Sequence, residues 1–390
     1  MTKRKQKVAV EDNSPVVPTF DFFKQEVERD GVRAMSAEEI GDPNANRSGS
    51  YNLDYDLFVP FPEGRITEIF GEEGTCKTTL SLEVAGRAIQ AGKIVLYVNM
   101  EKNLNLSLMR TIRTLRPYLD AAIENMESGK NDVSCPLWIV NASNGEQAFE
   151  AMRKFAAMVP NGLAILDSID AAQPESVMAG EIGDSTVGKL AKLMSDAMRK
   201  LIGVAEQNRV ALIFINQIRD KITMYGDPSD TPGGYALKFY ASQRIRLYKP
   251  RKVDWILDSD KERIGSVVRY KVIKNKVAPD GNEGAFPILF RNGIFRELEL
   301  VTQACNFGIL RMGGKGGKQV FLPKIDRETG EYVMDGDEVV TTCMTQFNAA
   351  RRLLIDSALV DKLDTEIQAL FVPGGDDPLD GLIDEVQDSQ

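Results

Sequence analysis

Between about residues 51 and 290 the chain alternates short apolar runs with longer stretches whose apolar residues recur at helical spacing. The clearest β-like runs cover residues 66–70, 94–98, 163–166 and 210–215. Helical patterns fall between them at about 77–91, 145–158 and 187–206. This alternation predicts an α/β domain with a mainly parallel sheet. After residue 290 the pattern shortens into a smaller α+β region, marked by a flexible turn at Gly313, Gly314, Lys315, Gly316 and Gly317. Ahead of the α/β block lie a polar, charged start and then Val16, Val17, Pro18, Thr19, Phe20, Asp21, Phe22 and Phe23, which lead into a helical pattern. That apolar segment either packs on its own core or docks on another subunit, and the residues alone leave both readings open. Polar punctuation at Gly41, Asp42, Pro43 and Asn44, and again at Ser48, Gly49 and Ser50, sets it apart. The expected division is an arm and helix at 1–50, a core at 51–290, a small domain at 291–372 and an acidic, disordered tail at 373–390. The tail carries Asp376, Asp377, Asp380, Asp384, Glu385 and Asp388 with no basic residue.

Composition narrows the chemistry. The chain has 390 residues, 43% hydrophobic and 27% charged, with no histidine. Nucleophilic triads built on histidine, histidine-ligated zinc and histidine pH switches are thereby excluded. Cys76, Cys135, Cys305 and Cys343 form no C-x-x-C and read as reduced thiols of a cytosolic protein. A net charge of −9 argues against a uniformly basic nucleic-acid coat but leaves room for a local basic groove. No apolar run approaches the roughly 18–20 residues of a membrane span. The basic start, Met1 to Lys5, has no apolar segment behind it, as a secretory signal would.

The motifs carry more. Strand 66–70 runs into Gly71, Glu72, Glu73, Gly74, Thr75, Cys76, Lys77, Thr78 and Thr79, and a helix follows. This is the strand–loop–helix setting of a Walker A loop. Loop amides cradle phosphate, Lys77 reaches the β and γ phosphates, and Thr78 offers a hydroxyl to Mg²⁺. Cys76 stands where the pattern expects glycine. Residues 163–166 followed by Asp167 form a Walker B pattern, with Asp167 in the Mg²⁺ shell. Glu101 closes the run 94–98 and is placed to orient and polarise an attacking water. Asn216 and Gln217 end a fourth strand with amides suited to sensing a γ phosphate. An acid or amide at a strand end is also a common solvated cap, so these positions gain weight only together.

Longer strings add to these motifs. Gly180, Glu181, Ile182, Gly183, Asp184 and Ser185 precede residues 194–201, Met194 to Leu201. Residues 213–219 precede Gly233, Gly234, Tyr235 and the run through Ser242. Val272, Ile273, Lys274, Asn275 and Lys276 come last. In order and spacing these resemble the RecA recombinases over roughly residues 47–300. The resemblance implies a RecA-like P-loop ATPase core with a mainly parallel twisted sheet, an N-terminal polymerisation arm and a small α+β C-terminal domain. It also implies ATP and Mg²⁺ as cofactors. Subunits would assemble head to tail into helical filaments on single-stranded DNA, with DNA-stimulated hydrolysis, pairing with homologous double-stranded DNA and strand exchange. A single-strand-binding protein or loader is an expected partner, and the cytoplasm of a bacterium or phage-infected cell the expected location. Lys77, Thr78, Thr79, Glu101, Asp167 and Gln217 would form the near side of the ATP site. Lys274 and Lys276 would reach it from a neighbour, with Phe239 and Lys238 at the subunit interface. Lys192, Ser195, Arg199, Arg219, Lys221, Ile222, Gly233 and Gly234 would line the DNA.

Some positions depart from the family. Besides Cys76, where phage-encoded members also carry a residue other than glycine, Leu108 replaces a tyrosine that faces adenine. Asn99 replaces an acid, and the second DNA loop is about one residue shorter, with Pro228 and Pro232 stiffening it. They point to a divergent, phage-like member. Two alternatives share the core motifs: a hexameric helicase, and a filament that coats DNA with little hydrolysis.

Overall fold

The computed structural model describes residues 43–127, 135–179, 188–220, 229, 230, 232, 234–258, 260–314, 319–326, 329, 331–335 and 338–370, with Lys24 and Arg29. The acidic tail, the string Gly180–Ser185, and Lys221, Ile222 and Gly233 of the second DNA loop lie outside the described residues, as does nearly all of the N-terminal arm. The chain divides into two units, Met1–Pro43 and Asn44–Gln390. The second unit carries the sheet and the phosphate-loop motifs.

Helix α1, Tyr51–Leu57, opens the second unit, with the Ser50 hydroxyl accepting from the Leu53 amide. Next come β1 (Ile66–Gly71), α2 (Lys77–Gln90), β2 (Val95–Asn99), β3 (Leu137–Val140), α3 (Gly145–Met158) and β4 (Leu163–Asp167). Then come α4 (Lys189–Gln207), β5 (Ala211–Gln217), α5 (Gly234–Tyr240), β6 (Gln243–Leu247), β7 (Trp255–Leu257), β8 (Arg263–Asn275), β9 (Glu283–Leu289) and β10 (Gly293–Ile294). The strands join in a ten-stranded sheet of order β10-β9-β8-β6-β1-β5-β4-β2-β3, with β7 added on β8. From β3 across to β6 the neighbours are parallel. From β6 outward to β10 they are antiparallel. The mainly parallel α/β sheet expected from the alternation is thus present, with an antiparallel wing.

Why these runs become central strands is visible in their burial. Every residue of β1, β2 and β4 is buried, as suits parallel strands covered by helices on both faces. Side chains alternate between faces. Ile213 and Ile215 of β5 join Ile69, Leu80 and Val84 on the α2 side. Leu212 and Phe214 join Phe149, Met152, Met198 and Leu201 on the side of α3 and α4. A third apolar cluster comes after the sheet. It gathers Leu300, Val301 and Ala304 of α6 (Arg296–Asn306), Val320 and Leu322 of β11 (Gln319–Pro323), Ala349 and Leu353 of α7 (Gln346–Leu353), and Leu363 and Ile367 of α8 (Ser357–Leu370). Strand β12, Thr341–Thr345, pairs antiparallel with β11.

Buried carboxyls tie α6 to the start of α1 and α2 to β10. Glu299 accepts from the Ser50 hydroxyl at 2.8 Å and the Tyr51 amide at 3.0 Å. Glu83 accepts from the Ile294 amide at 2.9 Å and Thr114 Oγ1 at 3.1 Å. Asp54 accepts from the Ser48 amide at 2.8 Å. Burial pushes all three carboxyls up, Asp54 to about 6, Glu83 to about 7 and Glu299 to about 8.

Candidate functional site

The ends of the parallel strands bring the sequence motifs together. Gly71 pairs with Gln217 across β1 and β5, and Asn99 with Asp167 across β2 and β4. The carboxyl ends of parallel strands open a crevice where ligands bind in α/β folds. After β1 the chain turns through Glu72–Cys76 and enters α2 at Lys77. Gly71 is required by close approach: a Cβ there would lie 2.4 Å from the Leu247 carbonyl oxygen and 2.9 Å from Thr75 Oγ1. Gly74 has φ +77° and Cys76 φ +64°, so the cysteine adopts the left-handed conformation that glycine usually supplies. Burial pushes the Cys76 thiol up, against the opposing pull of the Arg263 and Lys77 cations.

Lys77 is 8% exposed and lies over the loop, its ammonium donating to the Gly71 and Glu72 carbonyls at 3.0 and 2.7 Å. Burial lowers its pKa, and the nearby Asp167 and Glu101 carboxylates oppose that shift. Carbonyl oxygens are replaceable partners for an ammonium group, so the same side chain can turn to a phosphate. Thr78 Oγ1 donates to Asp167 Oδ2 at 2.8 Å, and the Tyr97 hydroxyl donates to the same oxygen at 2.7 Å. Asp167 is 1% exposed, and burial raises its pKa although both hydroxyl bonds favour the ionised form. Glu101 Oε1 accepts from Ser168 Oγ at 2.6 Å and from Gln217 Nε2 at 3.3 Å; Asn103 Nδ2 donates to its other oxygen at 3.0 Å. Glu101 is exposed and connected to Gln217, an arrangement in which a carboxylate can orient a water and an amide can register its surroundings.

The oxygen donors suit a hard cation. Thr78 and Asp167 can provide a hydroxyl and a carboxylate, and Mg²⁺ ordinarily completes its shell with water and nucleotide phosphate. Among the described residues no group of three or more His, Cys, Asp or Glu side chains is placed to hold a metal without such help.

Other predicted residues lie elsewhere. Lys274 and Lys276 do converge on one target, but strict strand alternation does not bring this about. Strand β8 ends at Asn275, and its register with β6 shifts between Val272 and Lys274. In this chain both ammonium groups face carbonyls at the end of α5. Lys274 Nζ donates to the Lys238 and Phe239 oxygens at 2.8 and 3.0 Å, and Lys276 Nζ to Phe239 O at 3.4 Å. Burial lowers the Lys274 pKa, and Lys276 and Arg244 add to the effect. Phe239 itself is 71% exposed. Lys238 lies with its ammonium 5.7 Å from the Tyr235 ring centroid.

Lys192, Ser195 and Arg199 share helix α4. Arg199 pairs with Asp196 at 2.5 Å and also donates to the Ser195 carbonyl at 3.3 Å, so this cation has a carboxylate partner in its own helix. Arg219 and Asp220 pair with Ser229 and Asp230 in a short antiparallel ribbon. Gly234 has φ +70°, a backbone conformation that favours glycine, and a Cβ there would lie a tight 3.0 Å from the Ala191 Cβ on α4.

One strand-end expectation changes. Asn216 faces away from the phosphate crevice, donating to Glu68 Oε1 at 2.9 Å and to the Pro232 carbonyl at 3.0 Å. Successive strand residues point to opposite faces, so Gln217 and Asn216 cannot share one job. Asn99 bonds to Asn141 Oδ1 at 3.0 Å, and Leu108 packs against the α2-side core. Tyr97 and Ser168 carry no motif signal of their own, yet they hold Asp167 and Glu101. The only signal for them is position, Tyr97 inside the run 94–98 and Ser168 directly after the Walker B acid.

The chain matches the model of the RecA N-terminal domain over residues 21–295. It is 36% identical over 285 residues to Protein RecA of Porphyromonas gingivalis, covering 73% of this chain and 77% of that one. To Protein RecA of Chlorobium limicola it is 38% identical over 287 residues, covering 73% and 74%. A crystal structure of the RadB recombinase is similar at 19% identity and TM-score 0.45, covering 64% of this chain and 98% of that one. By the family-model match and the identity to these RecA proteins, the chain belongs to the RecA family of recombinases.

Proposed function

We propose that this protein is an ATP-dependent DNA recombinase. It binds ATP with Mg²⁺ at the crevice of Lys77, Thr78, Asp167, Glu101 and Gln217. It assembles head to tail on single-stranded DNA, pairs that strand with homologous duplex and exchanges strands. The observation that carries the reading is the convergence of Thr78 on Asp167 beside a Glu101 linked to Gln217, at the carboxyl edge of the parallel strands.

On this reading the loop amides and Lys77 hold the β and γ phosphates, and Thr78 and Asp167 hold the cation. Mg²⁺ supplies neutralisation of the phosphate charge. Glu101, fixed by Ser168 and Asn103, orients the attacking water and accepts its proton. Gln217 senses the γ phosphate through its bond to Glu101. Lys274 and Lys276 exchange their carbonyl partners for the γ phosphate of an adjacent subunit. DNA lies along α4 and the second-loop ribbon, where Lys192, Arg199 and Arg219 neutralise phosphates. The arm 1–50 serves subunit contact, and the region 291–372 forms a small C-terminal domain. A single-strand-binding protein or loader assists assembly, and the setting is the cytoplasm. Among the described residues no helix is long and apolar enough to cross a membrane.

The test mixes protein, ATP and single-stranded DNA, images the product and measures phosphate release. Helical filaments with DNA-stimulated release are expected. Rings would indicate a helicase, and filaments without hydrolysis a DNA coat.

A further inference from the structure

The charge at the centre of the sheet is unusual. Glu68 lies in the middle of β1 with no exposed surface, on the face shared with α3, α4 and α5. A carboxylate in such a place is costly unless paired and hydrogen-bonded. Its two oxygens divide their partners. Oε1 accepts from Asn216 Nδ2 at 2.9 Å, and Oε2 from Arg244 Nε at 2.5 Å. The other Asn216 amide hydrogen goes to the Pro232 carbonyl at 3.0 Å, on the segment that enters α5. Arg244 stacks over the Phe70 ring at 4.7 Å and is the cross-strand partner of Lys274. Like charges directly opposite in a sheet repel, so the Glu68 carboxylate offsets a cation group of Arg244, Lys274 and Lys276. Lys274 returns to the Lys238 and Phe239 carbonyls, closing a circuit around α5.

From this circuit we infer that Glu68 is a positioning residue coupling the second DNA loop to the lysine pair. The inference rests on the proposed recombinase function and adds a physical link between its DNA and ATP sides. A movement of Pro232 pulls on Asn216, and through Glu68 and Arg244 it alters the charge balance that holds Lys274 against α5. Removing the link should uncouple DNA binding from turnover while leaving each site intact.

Two variants test this beside the wild type. Asn216→Ala cuts the loop connection and spares the Glu68–Arg244 pair. Glu68→Gln/Arg244→Met removes both charges together, so neither is left buried alone. Each is measured for melting temperature, ATP and single-stranded DNA affinity, and phosphate release with and without DNA. We expect both affinities and the unstimulated rate to stay within about two-fold and the DNA stimulation factor to drop at least ten-fold, with the two sets of changes non-additive when combined. Retained stimulation in either folded variant overturns the inference, as does a parallel fall of stimulated and unstimulated rates with the melting temperature. A wild type whose turnover DNA does not stimulate overturns the proposed function as well, which separates the two failures.

Discussion

At the scale of single residues the site depends on a few atoms with limited alternatives. Lys77, held by its bonds to the Gly71 and Glu72 carbonyls, is the cation proposed to reach the phosphates. Lys77→Ala is expected to lose ATP turnover by at least 100-fold, and an unchanged rate would remove the phosphate-loop reading; charge-assisted bonds to phosphate are about twice as strong as neutral ones. Glu101→Gln keeps the shape of the side chain and one oxygen to accept from Ser168, gives up the acceptor for Asn103, and lacks a base. It should bind nucleotide normally and hydrolyse at least ~100-fold more slowly, since general base catalysis is worth ~10²–10⁴. Turnover equal to wild type would reduce Glu101 to a structural role. Cys76 gives a contrasting case. Its left-handed backbone costs roughly 1–2 kcal/mol for a residue with a Cβ, while its partly buried thiol packs against the α2-side core. Cys76→Gly relieves the first and loses the second, so thermal melting should show a change within about 1 kcal/mol. Cys76→Val adds β-branching at positive φ and should destabilise by about 2 kcal/mol or more.

At the scale of elements, the β8 irregularity after Val272 turns Lys274 and Lys276 toward the end of α5. A helix end presents carbonyls with partial negative charge, which is where two ammonium groups can rest together. If they serve a neighbour's ATP, hydrolysis needs an interface between subunits. The double variant Lys274→Ala/Lys276→Ala should bind ATP yet not hydrolyse it. Mixed with Lys77→Ala protein, it should recover partial phosphate release, because some interfaces combine an intact loop with intact lysines. Full DNA-stimulated release by the double variant alone would place these lysines outside the reaction.

At the scale of the whole molecule, the carboxyls of Asp54, Glu83 and Glu299 lie buried on α1, α2 and α6, with Arg87, Arg113, Arg296 and Glu297 nearby. Each of the three acids holds its proton more tightly when folded. Their contribution is full below the ordinary carboxyl values of 3.8 and 4.5 and is lost as pH rises through about 6, 7 and 8. Thermal melting should therefore show the folded state losing stability as pH rises from about 4 to about 8. Glu299→Gln, neutral at every pH, should flatten that decline. A slope unaffected by this substitution would mean that ionisation there is compensated.

Much of the molecule is legible along the chain. Apolar runs of strand length separated by helical patterns determined the α/β sheet, because burial on a parallel sheet and on an amphipathic helix each impose their own period. The positions of Lys77, Thr78, Glu101, Asp167 and Gln217 were legible too, since each comes at or just after a strand end and parallel strands place their carboxyl ends along one edge. Tertiary structure decided what depends on residues far apart in sequence. Tyr97 on Asp167, Asn216 on Glu68, Glu68 on Arg244 and Glu299 on Ser50 are contacts between separate elements. Local pattern says which face a side chain occupies, but strand order and helix packing determine what it meets there. Asn216 shows the difference most plainly. Its strand-end position suggested the phosphate, and the pleat turned it to the opposite face, toward a buried carboxylate.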